Sequence, residues 1–225
     1  MTESRRLKAG TLPSDILDQL YGQFVEPFEE KGAGFDPVKL RTIVRLTVVY
    51  HTFCRFSCFN KLRATDFEDT GDSIRVRFGS AKNDQMHNGS ECFIVQSQSG
   101  FDAVKLIRFY FEKFGLKFGA AQKDLSFVNC IVRKLKGDSW RVDGAKAVSY
   151  SHSTKLLREL LTEAGIDSTK VSDKSLKMLG VMKAFENGMS LEELMHHGRW
   201  RTLTMPLHYK VNSEKYKKDV ASRIV

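Results

Sequence analysis

The interpretation of this chain rests on the stretch Met195-His196-His197-Gly198-Arg199-Trp200-Arg201-Thr202-Leu203-Thr204-Met205-Pro206-Leu207-His208-Tyr209-Lys210. Just before it, Ser190 and Glu193 have the spacing of a capping box, which predicts a short helix beginning after Ser190. Tyr209 follows a Gly-Arg-Trp turn and is flanked by basic residues. A phenol with an ordinary pKa of about 10 is a poor nucleophile at neutral pH, and nearby cations favour its ionised form. The stretch therefore predicts either a tyrosine that attacks phosphorus or an ordinary buried tyrosine of a C-terminal helix.

The composition is that of a globular protein. The chain has 225 residues, of which 41% are hydrophobic and 28% charged, so one or two domains with a substantial core are expected. It contains no apolar run long enough for a membrane span, and its first residues are not expected to act as a secretory signal. The four cysteines are expected to be reduced thiols of an intracellular protein. Cys54 and Cys58 are one helical turn apart, but no second pair accompanies them, so we predict no metal site and no cofactor.

The charge of the chain points to its partner. Lys and Arg total 36 against 27 Asp and Glu, which gives a net charge of +9 and a pI near 9.4. A protein this basic is expected to bind a polyanion, usually nucleic acid. The alternative is a basic surface that is merely solvated.

The first half of the chain predicts helices followed by a hairpin. Pro13-Ser14-Asp15 opens an amphipathic helix, and Asp36-Pro37 opens a longer one that is apolar nearly all round and should be central. Arg55 lies in the apolar run that follows and is expected to be buried beside an anion: a ligand phosphate, or the carboxylate of Asp66 or Asp69. The alternating segment 73–78 and the segment 91–96 predict a hairpin, with Lys82 at or near its turn.

The second half predicts mostly helices. Residues 132 to 149 are basic and contain glycine, which indicates a loop or a weak hairpin. Ser151 or Ser153 is expected to cap one helix and Asp173 the next. The predicted fold is mainly α with a small antiparallel β-sheet.

Several segments match, in order and at similar spacing, the motifs of one family: Cys54-Arg55-Phe56-Ser57, Asp66-Phe67, Lys82-Asn83-Asp84-Gln85, Gly198-Arg199-Trp200 and Tyr209. In these the chain resembles the catalytic domain of tyrosine recombinases, the phage-integrase family, and most closely eukaryotic mobile-element enzymes of the Crypton or DIRS type. The resemblance implies a flexible segment 1–12, a catalytic domain 13–216 and a basic tail 217–225. The N-terminal core-binding domain of many relatives is expected to be absent from this chain or to lie on another part of a longer parent chain.

The resemblance also implies a mechanism. Tyr209 would attack a DNA phosphodiester and form a 3′-phosphotyrosyl intermediate. Arg55 and the indole N–H of Trp200 would stabilise the non-bridging oxygens, and Lys82 would protonate the leaving 5′-oxygen. The cations are side chains, so the reaction requires no metal or cofactor.

The chain departs from the family pattern at three positions. Lys174 replaces the usual histidine, Lys177 the second catalytic arginine, and Cys58 a supporting glutamate. Lysine cannot reproduce the two parallel donors of a guanidinium. Two readings therefore follow: a site-specific recombinase, or a weakened or inactive recombinase-derived DNA-binding domain. A third, an interaction domain without nucleic acid, conflicts with the net charge.

The remaining expectations concern DNA and assembly. Arg199, Arg201, Lys155, Arg158 and His197 are the candidate DNA-binding residues. The expected partners are double-stranded DNA and further copies of the chain, as a dimer or tetramer on DNA, with no membrane. The resemblance implies residence in the nucleus if the host is eukaryotic, and otherwise inside the cell.

Overall fold

The computed structural model describes residues 12–31, 36–79, 90–97, 100–119, 126–135 and 139–223. The elements within these ranges are, in chain order, α1 (Ile16–Phe24), α2 (Glu26–Lys31), α3 (Pro37–Thr52), α4 (Phe56–Phe59), β1 (Phe67–Asp69), β2 (Ser73–Phe78), β3 (Ser90–Val95), α5 (Ala103–Lys113), β4 (Cys130–Lys134), β5 (Trp140–Ala147), α6 (Tyr150–Glu163), α7 (Asp173–Glu186), α8 (Leu191–His197), α9 (Thr204–Asn212) and α10 (Glu214–Ala221). The predicted class, mainly α with a small antiparallel β-sheet, is confirmed, and the described residues also form a second, two-stranded sheet. No helix of the described ranges is both long and apolar enough to cross a bilayer.

Helix α3 is the central element, as its composition predicts. Asp36 caps it by accepting hydrogen bonds from the amides of Val38 (2.8 Å) and Lys39 (3.1 Å), and Pro37 occupies the first turn. Most of its residues are buried on every side, because other helices and the first sheet pack around it. The helix ends at Thr52, and Phe53 then takes a left-handed backbone with φ of 51°. That turn directs the chain toward Arg55.

The predicted hairpin is confirmed and forms a three-stranded sheet with β1. Strand order is β1-β2-β3, all antiparallel, and Val76 pairs with Phe67 on one side and Cys92 on the other. The face that carries Val76, Cys92 and Ile94 is buried in the core. The turn between β2 and β3, with the predicted general acid Lys82, lies outside the described residues.

The basic segment that was expected to be a loop or a weak hairpin is the antiparallel pair β4–β5. Gly144 on β5 faces the Ser126 side chain so closely that a Cβ there would overlap it. The amide of Phe127 donates to the Gly144 carbonyl at 2.8 Å, which fixes this approach. The segment therefore forms a two-stranded ribbon, whose pairing shifts register between Cys130 and Ile131.

The predicted caps of α6 and α7 were each misplaced. Ser149, not Ser151 or Ser153, has the extended backbone of an N-cap and accepts from the His152 amide at 3.3 Å. Ser172 caps α7 in a reciprocal box with Ser175, so the predicted cap Asp173 is the first helical residue. An N-cap requires a non-helical backbone, and in both cases an earlier serine has it.

Helix α7 packs directly on the C-terminal half of α3. Gly180 allows this, because a Cβ at that position would overlap the carbonyl oxygen of Tyr50. Beyond the crossing, Phe53, Val181 and Leu194 form a second small core cluster that joins α3, α7 and α8. The first turns of α7 are thereby held beside the residue that follows α3, Arg55.

Candidate active site

Four segments that are distant in sequence meet at one open cleft of about 820 Å³. They are the α3–α4 connection, the start of α6, the first turns of α7, and the Trp200–Tyr209 segment. The cleft is lined by Cys54, Arg55, Phe56, Ser57, Asn60, Lys61, Tyr150, Asp173, Lys174, Lys177, Trp200, Met205 and Tyr209. It thus contains all the candidate catalytic residues that lie in the described ranges.

Arg55 is exposed, which corrects the expectation that it is buried. It directly precedes α4 and faces the cleft, beside the buried first residue of that helix, Phe56. The two carboxylates considered as structural partners bind elsewhere: Asp66 accepts from the Arg63 amide at 2.8 Å, and Asp69 pairs with Arg108 at 2.7 Å. Arg55 forms no ion pair with any described residue and is available to an anion.

Lys177 is a buried cation with no counter-ion among the described residues. Lys177 is 9% exposed, and its ammonium nitrogen lies 4.7 Å from the centroid of the Trp200 ring. No carboxylate of a described residue forms an ion pair with it. Burial, together with the positive charges of Arg55 and Arg199, lowers the pKa of Lys177 to about 8. An anion that enters the cleft would restore its charged form.

Asp173, the one acidic side chain among the described residues that line the cleft, pairs with a different cation. Asp173 lies 3.6 Å from a guanidinium nitrogen of Arg45, which is almost completely buried. Neither side chain makes a hydrogen bond with a described residue. Burial raises the pKa of Asp173, and the nearby Arg45 opposes that shift. Lys174, the next residue of α7, is exposed, so the cleft keeps its excess of positive charge.

The Trp200 indole is held by close packing. A Cβ at Gly198 would overlap the six-membered part of the ring, so glycine is required for this approach. On another side the Phe53 ring stacks on the indole, with centroids 6.3 Å apart and planes 21° from parallel. The indole orientation is therefore fixed before any ligand binds.

Tyr209 lies on α9 beside this indole, with ring centroids 5.8 Å apart. Its side chain is half-buried, and its hydroxyl makes no hydrogen bond with a described residue. Burial raises the pKa of Tyr209 above its ordinary value, and the smaller effect of Arg55 opposes it. In the free protein desolvation is therefore the larger effect on this phenol, and its activation by surrounding cations stays a prediction.

Arg199 points away from the cleft surface and into the protein. Its backbone is left-handed, with φ of 54°. Its guanidinium donates to the carbonyl of Thr52 at 2.8 Å and to the sulfur of Cys92 at 2.7 Å, and it lies 4.1 Å from the Phe78 ring. These contacts join the α8–α9 turn to the end of α3 and to β3. In the free protein the guanidinium of Arg199 is thus occupied by these internal contacts, and its predicted DNA contact stays a prediction.

The other predicted DNA-binding residues differ in exposure. His197 is half-buried, its ring nitrogen is 2.7 Å from the His51 carbonyl oxygen, and burial lowers its pKa. Arg201, Lys155 and Arg158 are exposed. The structure thus separates one inward-facing side chain from three that can reach solvent.

Tyr150 is a site residue that sequence reasoning missed. It is 54% exposed, and its ring packs edge-on against Phe56 at 5.0 Å. It lines both the cleft and a groove along α6 that includes Lys155 and Arg158. A single tyrosine next to a helix cap belongs to no recognisable motif, so only the packing could reveal it. No cluster of three or more His, Cys, Asp or Glu side chains suited to a metal occurs in the described ranges.

Comparison of the whole fold with solved structures gives clear matches. The XerH site-specific recombinase, solved bound to a palindromic difH substrate in a post-cleavage complex, superposes with a TM-score of 0.64 at 13% identity over 98% of this chain. The XerA recombinase gives 0.62 at 13% identity over 99%. The Tn1549 transposon integrase, in complex with circular-intermediate DNA, gives 0.54 at 10% identity over 98%. The fold is that of a tyrosine recombinase catalytic domain.

The matches concern only part of the larger proteins. This chain spans 55% of the XerH chain, 66% of the XerA chain and 67% of the Tn1549 integrase chain. No protein-family model and no curated protein sequence matches it. At these identities the likeness establishes the fold, while the Crypton or DIRS subgroup stays a prediction.

Proposed function

We propose that this protein binds double-stranded DNA and cleaves and rejoins its strands through Tyr209. One observation carries the proposal: Arg55, Lys177, Trp200 and Tyr209 line the same cleft, and neither cation has a carboxylate partner among the described residues. Arg55 and Tyr209 are far apart in the sequence, so only the fold brings them together. A site with two unneutralised cations beside a phenol suits a phosphodiester.

The proposed chemistry assigns one role to each group. The Tyr209 oxygen forms a bond to phosphorus, the bond from phosphorus to the 5′-oxygen breaks, and the DNA keeps a 3′-phosphotyrosyl link. The Tyr209 proton passes to solvent at the open cleft, because a phosphate beside Lys177 keeps that amine charged. The charged Lys177 binds a non-bridging oxygen together with Arg55 and the indole N–H of Trp200. Lys82 donates the proton that the leaving 5′-oxygen needs.

Rejoining reverses these steps with a second strand. A free 5′-hydroxyl attacks the phosphotyrosyl phosphorus, and Tyr209 leaves. The bond energy is kept in the intermediate, so no nucleotide cofactor or metal takes part in the proposed cycle. Lys174, exposed at the cleft, is assigned to a neighbouring phosphate.

We assign the DNA surface to the cleft and the adjoining groove of α6. Tyr150 lies between the two, and Lys155 and Arg158 line the groove. Arg201, exposed next to Trp200, extends the positive surface on the other side. Assembly as a dimer or tetramer on DNA, a mobile-element origin and residence in the nucleus remain part of the proposal.

A covalent-adduct experiment tests the nucleophile. Duplexes from a random-sequence pool, each nicked so that the cleaved end diffuses away, are incubated with the protein and separated on a denaturing gel. We expect a protein–DNA band for wild type and none for Tyr209→Phe. Tyr216→Phe is the matched control, since this tyrosine is also half-buried and near Lys210 but lies outside the cleft. An adduct that survives Tyr209→Phe, or disappears equally in both variants, would refute the assignment.

A second candidate function is DNA binding without cleavage. The observation that favours it is the burial of Tyr209, which raises the pKa of the phenol. In this case the same duplexes bind at low salt but yield no adduct at any pH between about 7 and 10.

A further inference from the structure

The ribbon formed by β4 and β5 carries an unusual pair of like charges. Its register places Arg133 directly opposite Arg141, and both side chains are exposed. Like charges in directly opposite positions destabilise an antiparallel pair. Neither arginine forms an ion pair with a carboxylate of the described residues. The pair therefore weakens the ribbon unless an anion lies between the two guanidinium groups.

In the three-stranded sheet β1-β2-β3, by contrast, arginines stand opposite carboxylates. Arg75 stands opposite Glu68, and Arg77 stands opposite Glu91. Arg75 also lies 3.7 Å from Glu68 and 3.9 Å from Glu91, and Arg77 pairs with Glu68. In that sheet each arginine is therefore paired with a carboxylate of the fold. The arginines of the β4–β5 ribbon differ in having no such partner among the described residues.

The ribbon presents this pair on its outer side. The neighbouring pair Val132 and Val142 packs against the core, and successive residues of a strand point to opposite faces. The face with Arg133 and Arg141 is thus turned away from the core. Beyond β5 the chain passes through Val148, whose amide donates to the Asn129 carbonyl at 2.9 Å, and the ribbon is thereby tied to the body of the protein.

Most charged residues near the pair are basic. Lys134 and Lys146 lie on the same two strands and are exposed, and the one acidic residue of these strands is the half-buried Asp143, opposite Ile131. Ser149 then caps α6, which carries Arg158 and Lys155, the latter 3.6 Å from Glu159, in the groove assigned above to DNA. The ribbon and α6 together form a continuous stretch of sequence with cationic side chains on the surface. A repeating anion such as the phosphate backbone fits an extended cationic surface better than a single carboxylate does.

We propose that the β4–β5 ribbon is a second DNA-contacting surface, in which Arg133 and Arg141 together bind backbone phosphates away from the cleft. Guanidinium groups suit this role because their parallel N–H donors match two phosphate oxygens. This inference rests on the proposed function for its partner, duplex DNA. It adds a contact that positions the duplex and carries no sequence preference of its own.

The test compares two double variants with the same change in net charge. Binding of a fluorescent duplex of roughly 30 base pairs is measured by anisotropy at about 50 to 200 mM salt, where each phosphate contact contributes about 0.9 to the slope of log K against log salt. We expect Arg133→Ala with Arg141→Ala to lower that slope by about 1.8, because two contacts are lost. Arg75→Ala with Arg77→Ala, the control, should leave the slope unchanged.

Two further measurements make the result decisive. Arg133→Lys with Arg141→Lys should keep the wild-type slope, since charge is retained, but bind more weakly. The alanine pair should unfold at the same temperature as wild type or higher, because a repulsion is removed. An unchanged slope in the ribbon variant, an equal loss in both alanine pairs, or a lower unfolding temperature in the ribbon variant would each overturn the inference. If wild type binds no duplex at all, both the proposed function and the ribbon contact are refuted. If wild type binds duplex but the ribbon variant keeps the wild-type slope, only the ribbon contact is refuted.

Discussion

The buried ammonium of Lys177 should make the folded protein less stable than it would be with an apolar side chain there. Burial and two neighbouring guanidinium groups lower the pKa of Lys177 from 10.5 to about 8. A pKa lowered by roughly 2.5, at about 1.4 kcal/mol for each pKa unit, corresponds to about 3.5 kcal/mol of lost stability while the amine is charged in both states. The contact with the Trp200 ring returns up to about 1 kcal/mol. We therefore expect Lys177→Met to stabilise the fold by about 2 to 3 kcal/mol at pH 7.

The pH dependence has a definite sign. The folded pKa lies below the unfolded one, so between pH 8 and pH 10.5 the unfolded chain holds more protons than the folded protein. Stability then rises with pH across this window, and the penalty is full below it and absent above it. The advantage of Lys177→Met over wild type should accordingly shrink as the pH rises from 8 to 10.5.

Urea unfolding of wild type and Lys177→Met at pH 7 and at pH 10 measures this difference directly, because other titrating groups are common to both proteins. Lys174→Met is the matched control: it lies on the same helix but is exposed, so its effect should be small and independent of pH. The reasoning is refuted if Lys177→Met is no more stable than Lys174→Met at pH 7, or if its advantage does not change with pH. The same stabilised variant should form no Tyr209 adduct.

Three other predictions follow from the packing around the cleft. Gly198→Ala should displace the Trp200 indole and lower the rate of adduct formation about a hundredfold, the usual effect of losing one oxyanion donor, with little change in duplex binding. Asp173→Ala should leave Arg45 buried without a carboxylate and destabilise the fold by about 3 kcal/mol in urea unfolding, whereas an effect below about 1 kcal/mol would show that the pair is not energetically coupled. Gly180→Ala should destabilise the fold by about 1 to 3 kcal/mol, because α7 must move away from α3. Thermal unfolding would measure this loss of stability, and an adduct assay would measure the accompanying displacement of Lys177 as a lower rate.

Local signals in the sequence were sufficient for most elements. The start of α3 at Asp36, the capping box of Ser190 and the alternation of β2 each depend on residues within a few positions of one another. Hydrogen bonds to a cap and the period of a strand are local interactions, so they can be predicted without knowledge of the fold. The residues that cap α6 and α7 could not be predicted in this way. Which of the neighbouring residues is the cap depends on where the backbone first leaves the extended conformation.

The sequence by itself determined which chemical groups this protein has: a phenol, an indole and several cations in a recognisable order. Only the tertiary structure decided what each cation does. Arg55 lies in an apolar run yet is exposed, whereas Arg45 on the central helix is buried against Asp173. Arg199 stands next to Trp200 yet turns inward to Thr52. The environment of a charge is set by whichever distant segments pack around it, and those segments are adjacent only after the chain has folded.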